Sequence, residues 1–273
     1  MAAPGAAGSP RREKTPGWWL LAAVVVPFLR LVGRYEFRNL DGIPRSGPFV
    51  LSPNHYSNFD PLVTAYTVWR SGRVPRFLAK ASLFRVPVVG AILRASGQIP
   101  VERAGRPSSA STGPQSPIGA GALAPVDGHA PSPMSAASRL VDEGLAVIVY
   151  PEGTLTREPD LWPMRGKSGA VRLALEHDVP LIPCAHWGVQ AIMPRYGRLS
   201  LVPRKPVTVV IGEPLDLSPW RGRPITPDVL AEATEALMVA ITALLAGLRG
   251  EEPPAERWDP TAHGQAETGK LDA

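Results

Sequence analysis

The 273-residue chain suits one large domain, or one domain with tails, and its 44% apolar content supplies ample material for a core. A formal net charge of +5 favours an anionic partner, whether a phospholipid surface, a phosphorylated substrate or nucleic acid, without choosing among them. The single cysteine, Cys184, excludes an internal disulfide, and no Cys/His cluster has metal-ligand spacing, so no metal is expected. Cys184 reads as a small apolar residue of a buried strand, and a reducing, cytoplasm-facing location fits.

Residues 1–15 are small and polar and are expected to be disordered. Arg11, Arg12 and Lys14 then precede an apolar run from Trp18 to Leu29, broken by Pro27 and closed by Arg30. That run falls short of the roughly 20 apolar residues a spanning helix needs. No small-x-small cleavage site follows it, as a signal peptide would require. Basic residues ahead of paired tryptophans suit a helix over 16–34 lying in the bilayer interface, with a first core-packing helix as the alternative.

From Phe49 onward short apolar runs alternate with helical stretches. Strands are expected at Phe49–Leu51, Phe77–Ala79, Gln98–Val101, Leu145–Tyr150, Leu181–Ala185 and Val207–Ile211. Helices are expected at Pro61–Arg70, Pro87–Arg94, Ala170–Glu176 and Asp228–Leu248, the last opened by Thr226-Pro227 as cap and first-turn proline. Leu145–Tyr150 is apolar throughout, as in a strand covered on both faces. Strands alternating with helices define an α/β fold whose sheet carries helices on its faces. Residues 104–133 are almost all Gly, Ala, Pro and Ser and read as a flexible insertion. The tail 249–273 reads as disordered, which leaves 35–248 as the catalytic domain.

Three segments carry the groups that do chemistry. Asn54-His-Tyr-Ser-Asn-Phe-Asp60 follows a buried strand and precedes a helix, the junction where open α/β sheets place their sites. His55 supplies a base and Asp60 a carboxylate to orient it. Within one regular helix their spacing would turn them about 140° apart, so pairing requires His55 in the loop. Asp60 stands before Pro61, so helix capping is the competing explanation for it. Tyr150-Pro-Glu-Gly-Thr154 ends the strongest strand; Glu152, Gly153 and Thr154 offer a carboxylate, backbone N–H groups and a hydroxyl, with an ordinary turn as the alternative. Gly97-Gln-Ile-Pro-Val-Glu-Arg103 leads to an arginine suited to clamp a phosphate, and Lys80 adds charge. His129, His177, His186 and His263 read as structural or peripheral.

The order Asn-His-x4-Asp, Lys-x-x-Leu-Phe-x-x-Pro, Ile-Pro-Val-x-Arg, Pro-Glu-Gly-Thr and Val179-Pro-Leu-Ile-Pro183 resembles the glycerolipid acyltransferase family over residues 36–215. Within it the chain is most similar to the bacterial 1-acyl-glycerol-3-phosphate (lysophosphatidate) branch. The resemblance implies a mixed, largely parallel sheet flanked by helices, beside the N-terminal interfacial helix. It implies His55 as general base and Asp60 as its partner. Arg103, with Lys80, would bind the acceptor phosphate; Glu152, Gly153 and Thr154 would shape the acceptor site. Many members carry Arg directly after Glu-Gly-Thr, where this chain has Leu155, then Thr156 and Arg157.

The implied reaction moves a fatty acyl group from acyl-CoA or acyl carrier protein to 1-acyl-glycerol-3-phosphate, giving phosphatidic acid for phospholipid synthesis. Glycerol 3-phosphate or another lysolipid is the alternative acceptor. No activated Ser or Cys nucleophile is evident, so no acyl-enzyme is expected. No cofactor and no nucleic acid are expected; the partners are the donor, a lysophospholipid and an anionic membrane surface. The corresponding location is the cytoplasmic face of the cell membrane, peripheral or monotopic. A non-catalytic lipid-binding module and a His/Asp hydrolase are the rival readings.

Overall fold

Side chains leave successive residues of a strand on opposite faces, and the central strands here are apolar at both parities. The computed structural model describes residues 13–80, 85, 90, 99–101 and 132–266. Its elements run α1 (Pro16–Val32), β1 (Gly33–Arg38), a short 3-10 turn (Leu40–Gly42), β2 (Phe49–Pro53), α2 (Asp60–Arg70), β3 (Leu78–Lys80) and β4 (Ile99–Val101). There follow α3 (Pro133–Asp142), β5 (Ala146–Ile148), α4 (Gly169–Glu176), β6 (Leu181–Trp187), α5 (Val189–Ile192), β7 (Lys205–Ile211) and α6 (Pro227–Arg249).

Five strands form one sheet in the order β1-β7-β6-β2-β5, parallel except where β6 meets β7. Val50, Val147 and Leu181 bury into a core made with α3, α4 and α6. Phe49, Leu51, Ala146, Ile148, Ile182 and Cys184 bury on the opposite face against α1, α2 and α5. The expected mixed, largely parallel sheet flanked by helices is therefore the fold.

The run Leu145–Tyr150 is covered on both faces as expected but departs from expectation in length. Only Ala146–Ile148 is strand, and it ends the five-strand order. Its outer edge is covered all the same, because the Ile148 N–H donates to the Arg76 carbonyl at 2.9 Å and Phe77 bridges to Ile148 in parallel. β3 continues from there and pairs with β4, Lys80 opposite Val101. The helix expected at Pro87–Arg94 and most of the insertion 104–133 lie outside the described residues.

β1 was not expected, although Tyr35 and Phe37 alternate with Arg34, Glu36 and Arg38 as a half-buried strand does. The first fifteen residues are not wholly free of contacts. Glu13 accepts from the buried Arg73 guanidinium at 2.8 Å, and Arg73 also donates to the carbonyls of Pro44 and Gly144. The tail, expected to be disordered, packs as far as residue 266. Arg257 pairs with Glu235 at 2.8 Å, Trp258 accepts from the Arg165 N–H through its carbonyl, and His263 stacks on Trp258. A tryptophan and an arginine in an otherwise polar stretch provide that attachment.

α1 packs on the core along one side and leaves large apolar residues exposed on another. Leu29 and Val32 are buried in the core while Trp19, Leu20, Val24 and Leu31 are exposed. Trp18 and Trp19 pack on Trp69 of α2, with centroids 6.4 and 5.1 Å away, and the Lys14 ammonium lies 4.3 Å from the same ring centroid. α6 is long and apolar enough to cross a membrane by length and composition, but one face of it, from Val229 to Leu245, packs in the core.

Candidate active site

The loop between β2 and α2 is closed by a ring of hydrogen bonds. Asp60 is the first residue of α2, and its Oδ2 points back up the chain to accept from the N–H groups of Tyr56 and Ser57, both at 2.7 Å. The same oxygen lies 3.0 Å from His55 Nδ1. These partners precede the helix, so Asp60 does not cap it. An ionised carboxylate only accepts, so His55 Nδ1 carries the ring proton and Nε2 presents a lone pair. Asp60 is fully buried, whereas the His55 side chain keeps 16% of its surface exposed. His55 thus stands in the loop, as its spacing from Asp60 requires.

The imidazole is held on its flat side too. Tyr150 stacks on it with centroids 4.1 Å apart, and the Tyr150 hydroxyl pairs with Thr64 Oγ1 at 3.0 Å. Burial raises the Tyr150 phenol well above its ordinary range, which keeps it neutral. Tyr150 opens the Tyr-Pro-Glu-Gly-Thr segment, and nothing in that motif signals that its ring packs on His55.

A second histidine supports the loop from beneath. Asn54 exchanges both side-chain amide bonds with the backbone of His186, at 3.0 and 3.1 Å. His186 Nε2 faces the Asn54 carbonyl at 3.2 Å and Asp60 Oδ1 at 3.9 Å, two acceptors, so it carries the ring proton. Tyr56 Oη, 3.1 Å from Nδ1, is then the donor on the other side. Desolvation lowers the affinity of His186 for a second proton and keeps it neutral. The structural reading of His186 fits this burial. Its closeness to the dyad had no sequence signal, because β6 lies more than a hundred residues downstream.

Glu152 is fully buried, and its carboxylate accepts from the His55 N–H at 2.9 Å and the Met164 N–H at 3.1 Å. The Thr156 N–H returns a bond to the His55 carbonyl at 2.7 Å. Glu152 therefore braces the histidine loop from within the fold. Burial pushes its carboxyl up to about 8, against the opposing pull of its N–H donors. Gly153 and Thr154 remain half-buried in the same loop. Gly153 has φ +68°, and a Cβ there would press on the Lys167 side chain, so the turn requires glycine.

A carboxyl group favoured neutral in the fold stabilises it fully below its unfolded value near 4.3 and loses that contribution as pH rises through 8. Unfolding free energy is therefore expected to decline between about pH 4.5 and 8, with a slope of up to about 1.4 kcal/mol per pH unit from this group. Chemical denaturation of Glu152→Gln across the same range checks the source. The variant should show a flatter profile, and an unchanged slope would assign the decline to other groups.

Lys80 ends β3, which runs parallel to β5, so its backbone reaches the sheet edge that carries His55. Arg103 lies outside the described residues. Cys184 is buried in β6, and desolvation pushes its thiol up to about 12, which keeps it protonated and unreactive. Among the described residues no group of three or more His, Cys, Asp or Glu is placed to hold a metal ion.

A partly exposed imidazole backed by a buried carboxylate, on a strand-to-helix loop at the C-terminal edge of an α/β sheet, is an arrangement chemically able to take up a proton. The chain belongs to the acyltransferase family, whose model matches residues 34–187, more than half of its length. It is similar to the 1-acyl-sn-glycerol-3-phosphate acyltransferase of Bacillus subtilis (strain 168), with 27% identity over 219 residues covering 79% of this chain and 90% of that one. A chloroplastic 1-acyl-sn-glycerol-3-phosphate acyltransferase of Brassica napus is 27% identical over 181 residues, 66% of this chain and 44% of that protein. The chain thus spans under half the length of this plant relative. Its fold is similar to that of PlsC, the 1-acyl-sn-glycerophosphate acyltransferase of Thermotoga maritima, with TM-score 0.56 and 22% identity over 85% of this chain and 82% of that one.

Proposed function

We propose that the protein transfers a fatty acyl group from a thioester, acyl-CoA or acyl carrier protein, to the free hydroxyl of 1-acyl-glycerol-3-phosphate, giving phosphatidic acid. The observation that carries this reading is the 3.0 Å contact of His55 Nδ1 with Asp60, which leaves the Nε2 lone pair to act as a base. Nε2 removes the acceptor hydroxyl's proton as that oxygen attacks the thioester carbonyl. The C–O bond forms, the C–S bond breaks, and the thiolate leaves. Asp60 stabilises the imidazolium formed in that step. The names of the relatives support the acceptor.

An apolar groove of about 170 Å³, open to solvent on one side, runs between α1 and α2, lined by Leu21, Val25, Leu29, Leu62, Ala65 and Phe77 among others. Pro61, adjacent to Asp60, also borders it, so an acyl chain lying there would bring its carbonyl toward His55. In this reading 35–248 is the catalytic unit, 16–34 seats it peripherally or monotopically on the cytoplasmic face of the membrane, and 104–133 is an insertion. The deciding experiment supplies purified protein with labelled acyl-CoA, then acyl carrier protein, and tests lysophosphatidate, glycerol 3-phosphate and other lysolipids in turn. Diacyl product from lysophosphatidate supports the proposal; free fatty acid alone would make the protein a hydrolase.

The phosphate is assigned to Arg103 and Lys80. Arg103→Ala is expected to raise the acceptor KM roughly ten- to a hundred-fold, the worth of one charge-assisted phosphate contact, while the donor KM changes little. Arg103→Lys should recover only part of the loss, because it keeps charge without the bidentate fork. Initial rates with acceptor and donor varied separately check this. An unchanged acceptor KM would move the phosphate elsewhere.

A further inference from the structure

We propose that the connection between β6 and β7, residues 194–204, is a second membrane-seating element that enters an anionic bilayer beside the C-terminal end of α1. The proposal rests on the reading of the substrate as a lipid. Tyr196, Leu199, Leu201 and Val202 are 51%, 43%, 41% and 83% exposed. Four large apolar residues within seven positions, left in water, contribute nothing to the core and mark an interaction surface. Between Val189 and Ile211 there is no Asp or Glu, whereas Arg195, Arg198, Arg204 and Lys205 all fall there. Apolar tips among cations only match a boundary where acyl chains meet phosphates.

Topology sets this segment beside the site. β7 is antiparallel to β6, so the connection leaves and returns at one sheet edge, the edge where β2 and β5 end in the loops of His55 and Glu152. β1 is parallel to β7, so α1 also arrives at this edge. Gly33 pairs with Lys205, and the Arg204 guanidinium donates to the Gly33 carbonyl at 3.2 Å. Leu31, two residues earlier, is 64% exposed, and Val24, Leu20 and Trp19 extend the apolar surface along α1. The connection and the end of α1 therefore meet at Gly33 and Lys205, and Arg30, Arg34, Arg198 and Arg204, all exposed, stand in or next to these two elements.

The base of the connection is tied to the catalytic loops. Ser57 Oγ donates to the Met193 carbonyl at 2.6 Å, and Arg195 donates to the carbonyls of Thr156 and Glu158 at 2.7 and 2.8 Å. The Ser200 N–H closes the turn on the Ile192 carbonyl at 2.7 Å. A tip buried in the headgroup layer thus fixes the depth of His55, and a lysolipid hydroxyl meets Nε2 without leaving the bilayer.

The test uses the full chain and vesicles of phosphatidylglycerol with phosphatidylcholine. Cys184 is buried, so Val202→Cys provides the one accessible thiol for an environment-sensitive dye. Its emission should shift to the blue and be quenched by spin-labelled lipid; no quenching on vesicles that bind the protein overturns the proposal. The triple variant Leu199→Ser, Leu201→Ser, Val202→Ser should lose roughly tenfold or more in vesicle partition. Its melting temperature and its turnover on a monomeric short-chain lysophosphatidate should stay unchanged. Arg198→Glu should cost about fivefold or more in partition. Unchanged partition in the triple variant overturns the proposal, as does a wild-type dimer in light scattering that the triple variant dissolves, which would make the face a contact between copies. Partition needs no turnover, so loop-dependent binding without acyl transfer sinks the functional reading and leaves this one standing.

Discussion

His55→Ala is expected to lower turnover by roughly 10² to 10⁴ or more, while folding and vesicle binding survive. The expectation follows from what surrounds the ring. Its backbone N–H and carbonyl are held by Glu152 and Thr156, at 2.9 and 2.7 Å, and alanine keeps both bonds. The loss then falls on the imidazole alone, as base and as partner of Asp60. Alanine leaves Asp60 Oδ2 with its two backbone donors, so the loop keeps its shape. Circular dichroism and vesicle sedimentation establish that the variant is folded, and labelled acyl transfer measures the loss. A folded variant with near-normal turnover would remove His55 from the chemistry.

Asp60→Asn separates charge from shape. An asparagine oxygen placed where Oδ2 now lies still accepts from the Tyr56 and Ser57 N–H groups and from His55 Nδ1–H. The amide nitrogen then occupies the Oδ1 position, where no hydrogen-bond partner exists among the described residues and His186 Nε2 lies 3.9 Å away. The opposite amide orientation presents N–H groups to two backbone N–H groups, which is repulsive. Either way the negative charge that stabilises the imidazolium is gone, and turnover is expected to drop roughly 10²- to 10⁴-fold. The double variant with His55→Ala should be no slower than His55→Ala alone, since the two groups act as a unit. A single variant with most of its turnover intact would reduce Asp60 to a loop brace.

Much of this site was legible because its chemistry is local. His55 and Asp60 lie five positions apart, and a strand-to-helix junction brings such a pair together without any tertiary information. Pro61 made capping an equal explanation, and only the direction of the carboxylate, up the chain to Tyr56 and Ser57, decides between them. The burial of Glu152 is not legible in sequence, for a physical reason. A carboxylate in a Pro-Glu-Gly-Thr turn looks solvated in sequence, and its burial depends on Met164 and on the His55 loop nearly a hundred residues earlier. The Asn54–His186–Tyr56 network was invisible for the same reason. In the fold, α6 announced itself by its Thr226-Pro227 start and its amphipathic run, and α2 and α4 lie where helical stretches are expected. β1 carried its alternation in aromatic residues between charges and was passed over beside the louder apolar run before it.

The ion pair of Glu13 with the buried Arg73 has a practical consequence for anyone who trims the apolar N-terminus to make the enzyme easier to purify. Removing residues up to the end of α1 takes away the carboxylate and strands a guanidinium whose remaining hydrogen-bond partners among the described residues are the carbonyls of Pro44 and Gly144. Breaking one side of a buried pair in this way costs about 3–5 kcal/mol, a large part of the stability of an ordinary domain. A shortened protein is better begun upstream of Glu13, with the exposed Trp19, Leu20 and Val24 made polar in place. If the helix must go, Arg73→Met should go with it.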